Sequence, residues 1–223
     1  VRLRSLSPEQ IVSRLDSRFR LLSGGGPAGQ PHHRTLQAAL EWSYEPLSSA
    51  EQAMWRQVSV FAAGWTLEAA ESIHGAGALG PLEQLVSKSM VIAEETPTGM
   101  RYRLLDTIRQ YAREKLSDFC DTDCVWDRHL DYFVRLAERA EPELRRSQQV
   151  LWLNRLKDEM DNLHAALDWS LEGYVEAGLR LASALHEFTT RYGSVSALAE
   201  RLMQLLKQPE AQARTTLRAK ALG

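Results

Sequence analysis

The sequence predicts a mainly α-helical protein with one small β-hairpin, in which the hairpin sits late in a first helical domain and a longer run of helices follows. Three observations carry this reading. Apolar residues recur at three- and four-residue spacing over most of the chain. That period changes only once, between Met90 and Leu104. The two most informative runs, Leu40-Glu41-Trp42-Ser43-Tyr44-Glu45-Pro46-Leu47 and Tyr102-Arg103-Leu104-Leu105-Asp106-Thr107-Ile108-Arg109-Gln110-Tyr111-Ala112, stand on helical apolar patterns, and the second follows a strand–turn–strand signal.

Taken in order, Ser7-Pro8-Glu9-Gln10 opens a helix, because Ser7 and Gln10 form a capping box and Pro8 suits the first helical position. Ile11, Leu15, Phe19 and Leu22 give it one apolar stripe, and Ser23-Gly24-Gly25-Gly26-Pro27 ends it in a flexible linker reaching Pro31. A helix from about Arg34 to Tyr44 carries Leu36, Leu40 and Tyr44 on one face and stops before Pro46. Ser48-Ser49-Ala50-Glu51 is a second capping box, and the helix it starts is expected to run through Met54, Trp55, Val58, Phe61 and Ala62 to Gly64. Thr66 caps a short helix from Leu67 to His74, and another spans about Pro81 to Lys88.

The period then switches. Met90 to Ala93 reads as a strand, Pro97-Thr98-Gly99 as a turn and Arg101 to Leu104 as the return strand, followed by a helix from Leu105 to Leu116. Helices followed by such a hairpin make a winged helix. Beyond a polar break at Phe119 to Asp123 all is helical, with stripes through Trp126–Ala137, Leu151–Leu171, Leu179–Phe188 and Leu198–Leu206. Short connections imply antiparallel neighbours, hence an antiparallel helical-repeat array.

Composition excludes more than it selects. The 223 residues carry 27 Lys and Arg against 29 Asp and Glu, a net charge of −2. This balance supplies no global attraction to nucleic acid or an anionic membrane. No apolar stretch approaches the ~18 residues of a spanning helix, and the amino end lacks a signal-peptide core. Two cysteines are too few for a disulfide framework, so a reducing, cytoplasmic setting is expected. The chain starts without Met just before a capped helix and stops within an apolar-periodic stretch, so we expect a piece of a larger protein.

Several segments resemble a known family. Leu6-Ser7-Pro8-Glu9-Gln10-Ile11, Arg14 to Leu22, His33 to Tyr44, Val60-Phe61-Ala62-Ala63-Gly64-Trp65-Thr66 with Leu67 to Glu71, Tyr102 to Glu114, and Trp152-Leu153 with Glu159-Met160-Asp161-Asn162-Leu163-His164-Ala165-Ala166-Leu167 are similar to bacterial signal-transduction ATPases with numerous domains (STAND), prokaryotic relatives of the NB-ARC switch proteins. Many of these are transcriptional regulators with a LuxR-type or SARP-type DNA-binding domain elsewhere. The likeness covers residue 2 to about 172 and weakens after that.

The resemblance implies a layout. Residues 1–30 would be the last helix of the ATPase helical lid plus linker, 31–118 a winged-helix domain, and 119–223 the start of a tetratricopeptide-like helical-repeat domain. ATP or ADP would be held in an upstream domain, since no G-x-x-x-x-G-K-[ST] occurs here and Gly24-Gly25-Gly26 precedes no strand-to-helix turn. The implied partners are the protein's own nucleotide-binding domain and a signal protein or ligand on the helical repeats, with DNA reached only through another domain and no membrane. One departure matters. Relatives with Met-His-Asp at the start of the closing helix sense phosphate through the His, whereas this chain reads Leu104-Leu105-Asp106. Asp106 is the member of that triplet that is kept, so the resemblance implies a cofactor-binding role for it, only together with the upstream domain; with the His replaced, capping the helix is the favoured reading.

The remaining chemistry-bearing residues have structural readings. Cys120, Cys124 and His129 meet loose zinc spacing but lack a fourth ligand, so two reduced thiols are expected. His32 and His33 fall in the linker, and His74, His164 and His186 have no nucleophile at readable spacing, so no catalytic site is assigned. Glu51, Glu68 and Glu71 belong to exposed faces or first turns. The six tryptophans are expected to anchor cores, with a partner surface at Trp152 or Trp169 as the competing reading. Pro81 to Lys88, the reading helix of a winged helix, carries one Glu and one Lys, and the wing sets Glu94 and Glu95 beside Arg101 and Arg103. A neutral face of this kind gains little from phosphate. The favoured reading is thus a regulatory and interaction segment of a multidomain regulator, and the alternative is a free-standing winged-helix DNA-binding transcription factor.

Overall fold

The computed structural model describes residues 31–119, 121–192 and 195–208. The capping box at Ser7, the glycine linker, the lid helix and Cys120 lie outside them. The first described helix, α1, runs Pro31–Tyr44, beginning three residues before the sequence expectation. Pro46 and Leu47 turn the chain into α2, Ser49–Gln57. Here the capping box forms as expected: the Ser48 N–H donates to Glu51 Oε2 at 2.6 Å and the Glu51 N–H to Ser48 Oγ at 3.3 Å.

The expected continuation to Gly64 does not occur. The chain tightens into a 3₁₀ turn over Val58–Val60 and then extends at Phe61 (φ −64°, ψ 127°). Two tertiary partners capture this exit. Arg113 donates to the Ser59 and Val60 carbonyls (2.8 and 3.2 Å), and Asn162, a hundred residues away, accepts from the Ala62 N–H. Helix α3, Leu67–His74, is capped by Thr66 as expected, and α4 follows at Leu79–Ser87.

Strand β1 is Ile92–Thr96 and β2 is Gly99–Arg103, paired antiparallel from Ile92 opposite Arg103 to Thr96 opposite Gly99. The first strand starts two residues later than read from sequence. The Met90 and Val91 N–H groups both donate to the Leu85 carbonyl, so these residues complete the helix exit and are buried there. Trp65 adds a third, single-residue bridge to the hairpin by exchanging backbone hydrogen bonds of 2.8 Å with Tyr102. Gly64 permits this approach, since a Cβ there would lie 3.0 Å from the Tyr102 carbonyl oxygen. Helix α5, Asp106–Ser117, closes the domain against α2.

Helix α6, Thr122–Glu143, is roughly 33 Å long at 1.5 Å per residue and forms the common wall of the molecule. It packs on α3 of the first domain and on α8 (Met160–Ser170) and α9 (Val175–Tyr192) of the second part. Helix α7, Gln149–Asp158, precedes α8, and α10, Val195–Lys207, packs on α9. The apolar stripe from Leu151 to Leu171 is therefore divided between two helices at a corner on Glu159, and Leu151 is exposed. The main partner of α6 is α9 rather than its neighbour in sequence, α7. Buried apolar side chains from Tyr44 to Leu205 form one continuous cluster through both parts.

Trp55 and Trp65 anchor that core, but Trp42 does not, being 79% exposed. Glu51 stands in the first turn of α2 as the capping-box residue and is buried, because its carboxylate serves both the cap and Lys88 Nζ at 2.6 Å. The pairing with Lys88 and the Ser48 N–H hold that carboxyl below its usual range.

Candidate functional site

The part of a winged helix that meets a ligand is the outer face of its third helix together with its wing. On α4 the outward residues are Leu79, Gly80, Glu83, Gln84 and Ser87, followed by Lys88, while Leu82 and Leu85 face the core. Each nearby cation is held by a carboxylate. Lys88 pairs with Glu51, Arg103 pairs across the hairpin with Glu94 at 2.9 Å, and Arg101 turns inward onto Glu159 at 2.5 Å. Glu83 and Glu95 remain exposed. A phosphate backbone approaching this face would meet cations already paired with carboxylates and two further exposed carboxylates, which weakens its attraction.

The inward turn of Arg101 builds the most elaborate polar site in the described residues. Its guanidinium donates to Glu159 Oε1, to the Gly64 carbonyl at 2.8 Å and to the Asp158 carbonyl at 3.3 Å. Glu159, 3% exposed, accepts in turn from Asn162 Nδ2 at 2.6 Å. Asn162 is fully buried, and all its polar capacity is used. Its Oδ1 accepts from Ala62 and Ala63 N–H (2.8 and 3.3 Å), and its Nδ2 also donates to the Gly64 carbonyl at 2.9 Å. Wing, loop 61–65 and the α7–α8 corner are thereby welded into one unit. A second clamp lies nearby, where Glu68 on α3 accepts from Arg139 of α6 and Arg155 of α7 (2.8 and 2.5 Å).

Asp106 lies at the first position of α5 and is exposed. It does not cap the helix by hydrogen bonding: the N-cap is Leu105, with no side-chain cap bond, and the carboxylate pairs with Arg109 at 2.9 Å. Its charge nevertheless stands in the first turn, where the helix dipole favours it.

Two of the three residues with loose zinc spacing, Cys124 and His129, are among the described residues, and they differ in exposure. Cys124 is exposed, whereas His129 is fully buried among Phe61, Trp126 and Phe133, with no hydrogen-bond partner on either ring nitrogen. Burial, aided by the nearby Arg113 charge, pushes the His129 ring down to about 3, so it is a neutral core aromatic. Among the described residues no three His, Cys, Asp or Glu side chains come together as a metal site. His74 hydrogen-bonds Gln57 at 2.6 Å and packs structurally. No described helix is long and apolar enough to cross a membrane.

Sequence reasoning missed Glu159 and Asn162 as a site. The available signal was a Glu-x-x-Asn pair at the start of a helix whose Leu163, Ala166 and Leu167 face the core, which is costly unless both groups find partners.

The comparisons agree with the winged-helix fold. Residues 47–117, from the loop before α2 to the end of α5, match the model of a winged helix-turn-helix domain. Over 191 residues, 82% of the chain, it is 39% identical to the "Putative HTH-type transcriptional regulator Rv0890c" of Mycobacterium tuberculosis, and equally to its Mycobacterium bovis counterpart Mb0914c. Over 132 residues, 56% of the chain, it is 36% identical to the Mycobacterium tuberculosis protein Rv0894. The chain spans only about a fifth (21%) of the first pair and 34% of the last. No solved structure matches it significantly.

Proposed function

We propose that this chain is the regulatory segment of a larger transcriptional regulator, coupling the nucleotide state of an ATP- or ADP-holding domain to signal sensing on the helices. In this reading residues 31–118 dock as a winged helix on the nucleotide domain, 119–223 open a tetratricopeptide-like sensing array, and DNA is contacted through another domain. The segment performs no catalysis itself. The observation that carries the reading is the pairing of Lys88, Arg101 and Arg103 with carboxylates, which leaves the third helix and wing without a free cation for phosphate. Support also comes from Asn162, whose hydrogen bonds tie the 61–65 loop of the winged helix to the corner before α8, as a transmitting arm requires. The mycobacterial relatives named as HTH-type regulators are several times longer than the region shared with this chain.

Two measurements test it. The reading frame upstream of Val1 is expected to encode a phosphate-binding loop. In that full-length protein Asp106→Ala is expected to change ADP release by about threefold or more, the scale of a favourable carboxylate at a helix start. A frame without such a loop, or unchanged release, ends the nucleotide-coupled reading.

The match to a winged helix-turn-helix model favours a second reading, a free-standing DNA-binding factor. A fluorescence-polarisation titration with random duplex at low salt separates the two. Salt-dependent binding in the range of about 1–100 μM would favour direct DNA contact, and its absence supports the docking role.

A further inference from the structure

Where α6 leaves the winged helix, a cleft of about 660 Å³ opens between the two parts of the molecule, of a size that suits a small ligand. The winged-helix domain contributes Ala62 and Arg113 to its wall, and α6, α8 and the turn after α8 contribute the rest. Its distinguishing feature is a ladder of aromatic rings. Trp126 stacks on Trp169 with centroids 5.6 Å apart and planes at 21°, and Trp169 stacks on Tyr174 at 6.0 Å and 25°. The ladder already holds one cation at one end, where the Arg113 guanidinium sits 5.3 Å from the Trp126 ring centre. At the other end Tyr174 is 38% exposed.

Two features prepare these rings for positive charge. Asp127 accepts from both Trp169 Nε1–H (2.9 Å) and Tyr174 O–H (3.0 Å), which fixes the two planes and enriches their faces in electron density. Of the carboxylates on the cleft, Asp168 is neutralised by Arg201, whereas Asp123 and Glu172 are exposed and form no ion pair among the described residues. Trp126 and Trp169 pack against the core yet stay partly buried, so both also line the cleft.

We propose that this cleft binds an organic cation, an alkylated ammonium or guanidinium head, at the open Tyr174 end of the Trp126–Trp169–Tyr174 ladder, with Asp123 and Glu172 supplying the counter-charge. The head group belongs either to a free small molecule or to a basic side chain of a protein partner. The site stands on its own geometry and is independent of the nucleotide-coupled reading above. Loss of ADP coupling would leave it intact.

The test is calorimetric titration of the whole 223-residue chain with choline, with its neutral carbon isostere 3,3-dimethylbutanol, and with the peptide Gly-Gly-Arg-Gly-Gly. Saturable binding of choline or the peptide is expected, with the isostere weaker by about fivefold or more, as cation–π recognition requires. Binding of choline identifies a small-molecule source, and binding of the peptide alone identifies a protein side chain. The exposed double substitution Asp123→Asn with Glu172→Gln, which leaves the core untouched, is expected to weaken binding by about threefold or more. Trp169→Leu is expected to abolish it. Equal binding of the neutral isostere, an unchanged affinity in the double variant, or no saturation by any cation up to about 20 mM would overturn the proposal.

Discussion

Asn162→Ala tests whether the wing-to-corner weld holds the two parts of the molecule together. The side chain is fully buried and makes four hydrogen bonds, three of them between 2.6 and 2.9 Å. At about 1 kcal/mol net for each, the loss is ~3–4 kcal/mol, and the Ala62 and Ala63 N–H groups are stranded with no partner. Truncation opens a small polar space that one water can enter, which sets the lower bound near 2 kcal/mol. Against a typical total of ~5–15 kcal/mol, such a loss moves a urea midpoint visibly. The assay is equilibrium urea unfolding followed by tryptophan fluorescence and far-ultraviolet circular dichroism together. Trp65 reports directly, because it bridges to Tyr102 beside the weld. Both probes are expected to shift equally, since one apolar cluster runs through both parts. A loss under about 1 kcal/mol would refute the weld as a determinant of stability, and separate transitions in the parent protein would refute the single cooperative body.

Three further substitutions probe other links. Arg101→Met strands the Glu159 carboxylate at 3% exposure and is expected to cost about 3–5 kcal/mol; adding Glu159→Leu should recover more than half of it, as read from a denaturation double-mutant cycle. His129→Leu tests the buried neutral ring. Because folding lowers its pKa from 6.5 to about 3, the unfolded chain binds the extra proton, so the parent loses stability as pH falls from about 6.5 toward 3, by up to ~1.4 kcal/mol per unit. The leucine variant is expected to lose this component, and parallel stability–pH curves for the two proteins would refute it. Gly178→Ala places a Cβ 2.4 Å from Ser170 Oγ and 2.9 Å from both Leu205 methyls, where α8, α9 and α10 meet. Overpacking of about 1–3 kcal/mol is expected to exceed the ~1 kcal/mol helix-propensity gain, and a raised melting temperature would contradict it.

Most of the local structure was legible because local rules carried it. The Ser48 and Thr66 caps formed as read, the hairpin turned at Pro97-Thr98, and most of the helices expected among the described residues appeared. Failures clustered where a distant residue intervened. The helix through Val58 was cut short because Asn162 and Arg113 took its exit, and the stripe from Leu151 was split because Arg101 claimed Glu159. Trp42 reads like Trp55 in sequence, yet one is solvent-facing and the other fully buried, since periodicity gives a stripe but not what covers it.

The chain's own order of side chains thus determined helix, hairpin and cap, because each depends on groups a few positions apart. Which charges would be free was decided only by the tertiary structure. Arg101 reads in sequence as one of two wing cations set beside Glu94 and Glu95, but folding turns it inward onto Glu159 at 2.5 Å. Coulomb attraction in a site shielded from water falls with distance in space and takes no account of distance along the chain.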